Sequence, residues 1–317
     1  MVNPLCVTAF FDGRRGHEKQ TRAVLQALER VTPLSVTVRN VEPGNFFQAA
    51  GNWARYGLRR IRPLKRVPFS VDLIIGAGSY THIPMLLLKE ETGARAVTCM
   101  TPERLFLRRF DLCLIPRHDR PEGSDNIFLT LGPPCIRPAP QVRDLAKGLI
   151  LVGGRDPKSH WWSSQTTMDQ IRSILAADPL IHWTITSSPR TPADMLVMLT
   201  QLAEENPAVS FFKSEDTHLG WLEDRYAQTW RVWVTADSMS MIYEAVSAGC
   251  RVGILPVLWK KKRNKFQTSL EFLIENRYAM SYEMWRSGAD EFNPAPLDEA
   301  SRCAQEILRR WWPERLP

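Results

Sequence analysis

Short apolar, β-branched runs alternate with stretches of helical period along the whole chain. In the first half, runs at 5–11, 34–41, 72–76, 95–99, 111–115 and 126–129 predict strands. Within 17–31, Val24, Ala27, Leu28 and Val31 recur at i, i+3, i+4 and i+7, which predicts a helix with one buried stripe. The second half repeats the rhythm, with strands near 148–152, 181–186, 209–212, 232–234 and 251–255 and helices at 169–177 and 192–204. Such alternation predicts an α/β chain of parallel sheets with helices on both faces. The segment 131–140, LGPPCIRPAP, carries four prolines and no periodicity and reads as a linker. Two Rossmann-like domains are therefore expected, 1–135 and 136–296, facing a central cleft. The stretch 297–317 holds a last helix expected to pack back on the first domain.

Composition narrows the setting. A chain of 317 residues with 44% apolar and 24% charged residues fits two globular domains. Its apolar runs are too short to cross a bilayer. The start, MVNPLCVTAFF, lacks a basic n-region, so no secretory signal is expected. Six scattered cysteines form no C-x-x-C pair, which argues against a zinc or redox motif and for a cytosolic compartment. The net charge of +7 favours anionic partners. No nucleic-acid-binding motif accompanies it. Segment 45–66 mixes Phe46, Phe47, Trp53 and Tyr56 with basic residues. It reads either as an anionic-membrane contact or as a core helix with a basic outer face.

In parallel α/β sheets, ligands bind outside the carboxyl ends of the strands, so the loops there hold the candidate chemistry. The most informative is VWVTADSMSMIYEAVSAGCRVGILP, residues 232–256, which reads as strand, turn, helix, strand. Ser238, Met239 and Ser240 would open the helix, where free backbone N–H groups can hold a diphosphate. Glu244 would follow on the helix and accept from a sugar hydroxyl. The alternative is an N-cap and a solvated helix face. Gly153, Gly154 and Arg155 end another strand and allow close backbone approach to phosphate. Ser187 and Ser188 either line the same pocket or cap the next helix, and His218 is a nucleobase contact candidate. The basic stretch 260–265 is either solvated surface or a donor-sugar loop with Arg263, Asn264 and Gln267. In the first half, Asp12-Gly13-Arg14-Arg15-Gly16-His17 ends the first strand. Gly13 and Gly16 would admit a phosphate, and His17 is a candidate general base; the plain alternative is a turn with a capping histidine. Gly78, Ser79, Tyr80 and His82 form a second small-residue turn, expected on the acceptor side.

Together DGRRGHEKQ, IIGAGSYTHIP and VTADSMSMIYEAVSAGCRVGILP resemble the mitochondrial-fission (elongated-mitochondria) protein family over nearly the whole chain. More distantly the chain resembles GT-B glycosyltransferases such as the lipid-II-forming N-acetylglucosaminyltransferase. That resemblance implies a GT-B-like fold and a sugar donor carried on a nucleoside diphosphate. It also implies His17 as base, with Asp12 as substitute, Glu244 on the ribose, and Asn264 and Gln267 at the donor sugar. A lipid-linked or surface-polysaccharide acceptor at the inner membrane face is implied as well. No D-x-D motif is present, so no metal and no cofactor beyond the donor are expected. A nucleotide-sugar epimerase or hydrolase on the same fold, and a non-enzymatic membrane adaptor, are the alternatives.

Overall fold

The computed structural model describes residues 3–42, 70–119, 121, 123–138, 141–261, 264–292 and 297–317. The chain divides into two compact units, Met1–Ile136 with Asp298–Pro317, and Arg137–Leu297. The C-terminal segment thus belongs to the first unit's own fold.

Unit one holds β1 (Leu5–Phe11), α1 (Arg15–Glu29), β2 (Leu34–Asn40), β3 (Leu73–Gly76), α2 (Ser79–Thr92), β4 (Arg95–Thr98), β5 (Leu112–Pro116) and β6 (Ile127–Thr130). Its sheet runs β2-β1-β3-β4-β5-β6, with every pairing parallel. β3 and β5 are buried along their whole length, as strands covered on both faces must be. One face packs α1 and the C-terminal helix against Leu5, Val7, Ala9, Leu112 and Leu114. The other packs α2 against Phe10, Ile74, Phe106 and Phe110.

Unit two holds β7 (Asp144–Leu151), β8 (His160–Trp161), α3 (Ser164–Ala177), β9 (His182–Thr186), α4 (Ala193–Glu205), β10 (Val209–Phe212), α5 (Trp221–Gln228), β11 (Thr229–Thr235), α6 (Met239–Ser247), β12 (Arg251–Leu255), β13 (Leu258–Trp259), α7 (Lys265–Glu275), β14 (Ala279–Ser281) and α8 (Tyr282–Arg286). The main sheet runs β10-β9-β7-β11-β12-β14, again all parallel. β8 and β13 form a separate antiparallel ribbon. α9 (Glu299–Trp311) returns to unit one.

Both sheets have a topological switch point, where the strand order reverses and the loops on either side diverge. In unit one it lies between β1 and β3; in unit two, between β7 and β11. The two strand orders are the two common doubly wound arrangements for nucleotide-type ligands. No helix among the described residues is long and apolar enough to cross a membrane.

Candidate functional site

The unit-one switch point carries Asp12 after β1 and Gly78 after β3. Asp12 is 1% exposed, and its carboxylate lies 2.8 Å from Nδ1 of His17. The other carboxylate oxygen accepts the Arg14 N–H at 3.2 Å. α1 begins at Arg15, so Gly16 and His17 lie in its first turn rather than in the preceding loop. Asp12 therefore does not substitute for His17 as base: it is buried and committed to its neighbours. A carboxylate so placed orients the imidazole and favours the tautomer whose Nδ1–H donates to it, with Nε2 facing away.

Gly78 makes this pairing possible. Its φ is +101°, and a Cβ there would run into both the Asp12 carboxylate and the His17 ring. Ser79 and Tyr80 are exposed, and the Arg14 guanidinium lies over the Tyr80 ring at 5.2 Å. Gly13 (φ +75°) and Gly16 have open space where a side chain would stand.

His82 corrects the acceptor-side expectation. It is buried, packed edge-on against Phe106 and Phe110, and neither ring nitrogen has a partner. Burial, with a smaller contribution from His17, lowers its pKa to about 4. It is a neutral core residue facing aromatic rings, on the inner side of α2.

The unit-two switch point is more heavily cross-tied. Gly153 N–H donates to Thr235 Oγ1 at 2.8 Å, and Gly154 N–H to Asp237 at 3.0 Å. The Arg155 N–H donates to Arg190 O at 3.0 Å. Arg190 also reaches the same Asp237 oxygen at 2.8 Å. A side chain at Gly153 would collide with the Asp237 carboxylate, and one at Gly154 with the backbone of Arg190. Both glycines are thus required by close packing of three loops. The other Asp237 oxygen is buried without a partner.

Sequence reasoning missed Asp237, Arg190 and Thr235. The signal was available in Thr235-Ala236-Asp237, polar side chains in the turn between β11 and α6.

α6 follows at once. Ser238 is its N-cap but makes no side-chain cap bond, so the first-turn N–H groups at Met239 and Ser240 are not taken by the cap. Ser240 is exposed and Glu244, four residues on, is half-buried on the same helix face.

Other expected contacts go elsewhere. Ser187 and Ser188 are buried and do not cap α4, whose N-cap is Pro192. Ser187 Oγ accepts from Ser214 N–H and Ser188 Oγ from Arg190 N–H, so they bind loop to loop. His218 is exposed, with Nδ1 3.0 Å from Leu219 O, inside its own turn. Asn264 and Gln267 form a capping box at the start of α7, where their side chains satisfy backbone N–H groups. Arg263 and segment 45–66 lie outside the described residues. Arg155 is exposed, near Asp194.

Cavities of about 430 and 460 Å³ in unit two lie around Arg143, Trp230 and Ala248, by the start of β11, away from Gly153 and Asp237. Five cysteines are buried, and burial pushes the thiols of Cys99, Cys113 and Cys250 up to about 12. Among the described residues no group of three or more His, Cys, Asp or Glu side chains is arranged to hold a metal.

The fold has solved counterparts at low identity. A Listeria monocytogenes protein assigned as a UDP-N-acetylglucosamine 2-epimerase matches with a TM-score of 0.64 and 10% identity, over 96% of this chain and 95% of that one. The Methanocaldococcus jannaschii UDP-GlcNAc 2-epimerase matches with a TM-score of 0.59 and 11% identity, over 96% and 99%. The Neisseria meningitidis UDP-GlcNAc 2-epimerase bound to UDP-GlcNAc matches with a TM-score of 0.52 and 11% identity, over 96% and 100%. These likenesses fix a GT-B-like fold. No curated protein sequence matches the chain. The model of the mitochondrial fission ELM1 family matches residues 15–311, and the chain belongs to that family.

Proposed function

We propose that this chain is a glycosyltransferase that takes its sugar from a nucleoside-diphosphate sugar. The observation that carries the reading is the placement of both candidate clusters at the switch points of their sheets. In unit two the N-terminus of α6 receives the diphosphate, Glu244 accepts from the ribose, and the 153–154 turn lies against the phosphates. Those N–H groups stabilise the leaving diphosphate as its charge develops. In unit one Nε2 of His17 takes the proton of the acceptor hydroxyl, and Asp12 stabilises the resulting imidazolium. The acceptor is a lipid-linked or surface-polysaccharide hydroxyl at the inner membrane face.

One observation favours a second reading, an epimerase or hydrolase acting on the donor alone: the solved counterparts above are UDP-GlcNAc 2-epimerases. Product analysis separates the two. The purified chain is incubated with a panel of nucleotide sugars, with and without membrane-extracted glycolipid. Sugar transfer only when acceptor is present supports the transferase. Altered or free sugar from donor alone supports the second reading, and neither product overturns both.

A further inference from the structure

The β8–β13 ribbon has two unlike faces. Its pairs are His160 with Trp259 and Trp161 with Leu258. Directly opposite residues in an antiparallel pair share a face. His160 is 2% exposed and sits edge-on to Trp259, which stacks on Phe266. The inner face is therefore packed, and His160 Nε2 lies 3.0 Å from Gly154 O, which ties the ribbon to the glycine turn. The outer face carries Trp161, 60% exposed, and Leu258, 70% exposed. Two large apolar side chains are thus held in solvent by a ribbon that is fastened underneath.

Lysines lie beside them in the chain. Lys260 Nζ lies 3.9 Å from the centre of the Trp161 ring and donates to Pro157 O at 2.7 Å. Lys158, Lys261 and Lys265 are exposed in the adjoining segments. Asp156 is the acid in segment 155–161, and its carboxylate accepts the Lys158 N–H.

We infer that this ribbon docks unit two on an anionic lipid surface. Trp161 and Leu258 enter the headgroup layer, and the lysines meet lipid phosphates. Two protruding apolar side chains are too few for the core of a stable protein interface. A tryptophan with a lysine over its ring and further lysines in the adjoining segments suits the bilayer boundary, where indole lies at headgroup depth and each lysine adds attraction to anionic lipid. The proposal stands whether or not the chain transfers sugar.

The test is flotation of the full chain with phosphatidylcholine vesicles, with and without phosphatidylglycerol, at low and high salt. Binding to the anionic vesicles alone, weakened by salt, is expected. The double variant Trp161→Ala, Leu258→Ser and the single variant Lys260→Glu should each lower the bound fraction by about ten-fold. Both replace exposed groups, so circular dichroism should match the parent. Absent binding, equal binding to neutral vesicles, or full binding by the variants would each overturn the proposal. A nucleotide titration on the same variants should be unchanged, which keeps this test separate from the donor reading.

Discussion

A carboxylate that is 1% exposed cannot meet an acceptor from solvent, so Asp12 acts on His17 instead. Asp12→Asn should leave nucleotide affinity unchanged and lower kcat by about 10²-fold or more, because the amide no longer stabilises a charged imidazole. Steady-state kinetics beside a binding titration would check this; an unchanged kcat would remove His17 as base. His82 shows the opposite role for a histidine. Above its ordinary value of 6.5 neither folded nor unfolded chain is protonated there. Between 6.5 and about 4 the unfolded chain takes up a proton that the folded chain refuses, so stability falls as pH falls. The loss is about 2 kcal/mol at about pH 5. His82→Leu should remove that part of the pH dependence in urea unfolding, and an identical pH profile in parent and variant would contradict it. The sequence placed His82 near a helix start and suggested an acceptor-side role. Whether such a side chain faces in or out depends on Phe106 and Phe110, which reach it from another part of the fold.

Elements were more legible than side chains. The 3.6-residue stripe at Val24, Ala27, Leu28 and Val31 belongs to α1 and the core beside it, and the runs at 72–76 and 111–115 correspond to β3 and β5. Short or amphiphilic elements were missed. β14 has three residues, and β8 and β13 have two each, too few for any periodicity. β7 begins at Asp144, ahead of the run at 148–152, and its first four residues are exposed, so no apolar run marks them. The capping role of Asn264 and Gln267 was not legible either, since the same amide that can hold a sugar can hold a helix end. Asn264→Ala should therefore lower stability by about 1 kcal/mol and leave nucleotide affinity unchanged. Lost affinity at unchanged melting temperature would return Asn264 to the donor site.

For the molecule as a whole, the last helix belongs to the first unit. Ala300, Cys303, Ala304, Ile307 and Leu308 join α1 and β1 in one core. Glu299 accepts the Leu131 N–H at 2.9 Å and is paired with Arg302. Ending the chain before residue 298 would expose that core, and each lost Ile or Leu contact is worth about 1.5–3 kcal/mol. The truncated chain should lose unit one's cooperative melting transition while unit two keeps its own; two intact transitions would contradict this. The proline-rich stretch marked a break because it lacks periodicity.

The central claim is that α6 and the glycine turn of unit two hold a nucleoside diphosphate. It is tested most directly by titrating nucleoside diphosphates and nucleotide sugars into the parent chain and Glu244→Ala, with and without magnesium. The account predicts saturable binding of one nucleotide class, largely independent of magnesium and about ten-fold or more weaker in the variant. Absent binding, or equal affinity in parent and variant, would contradict it.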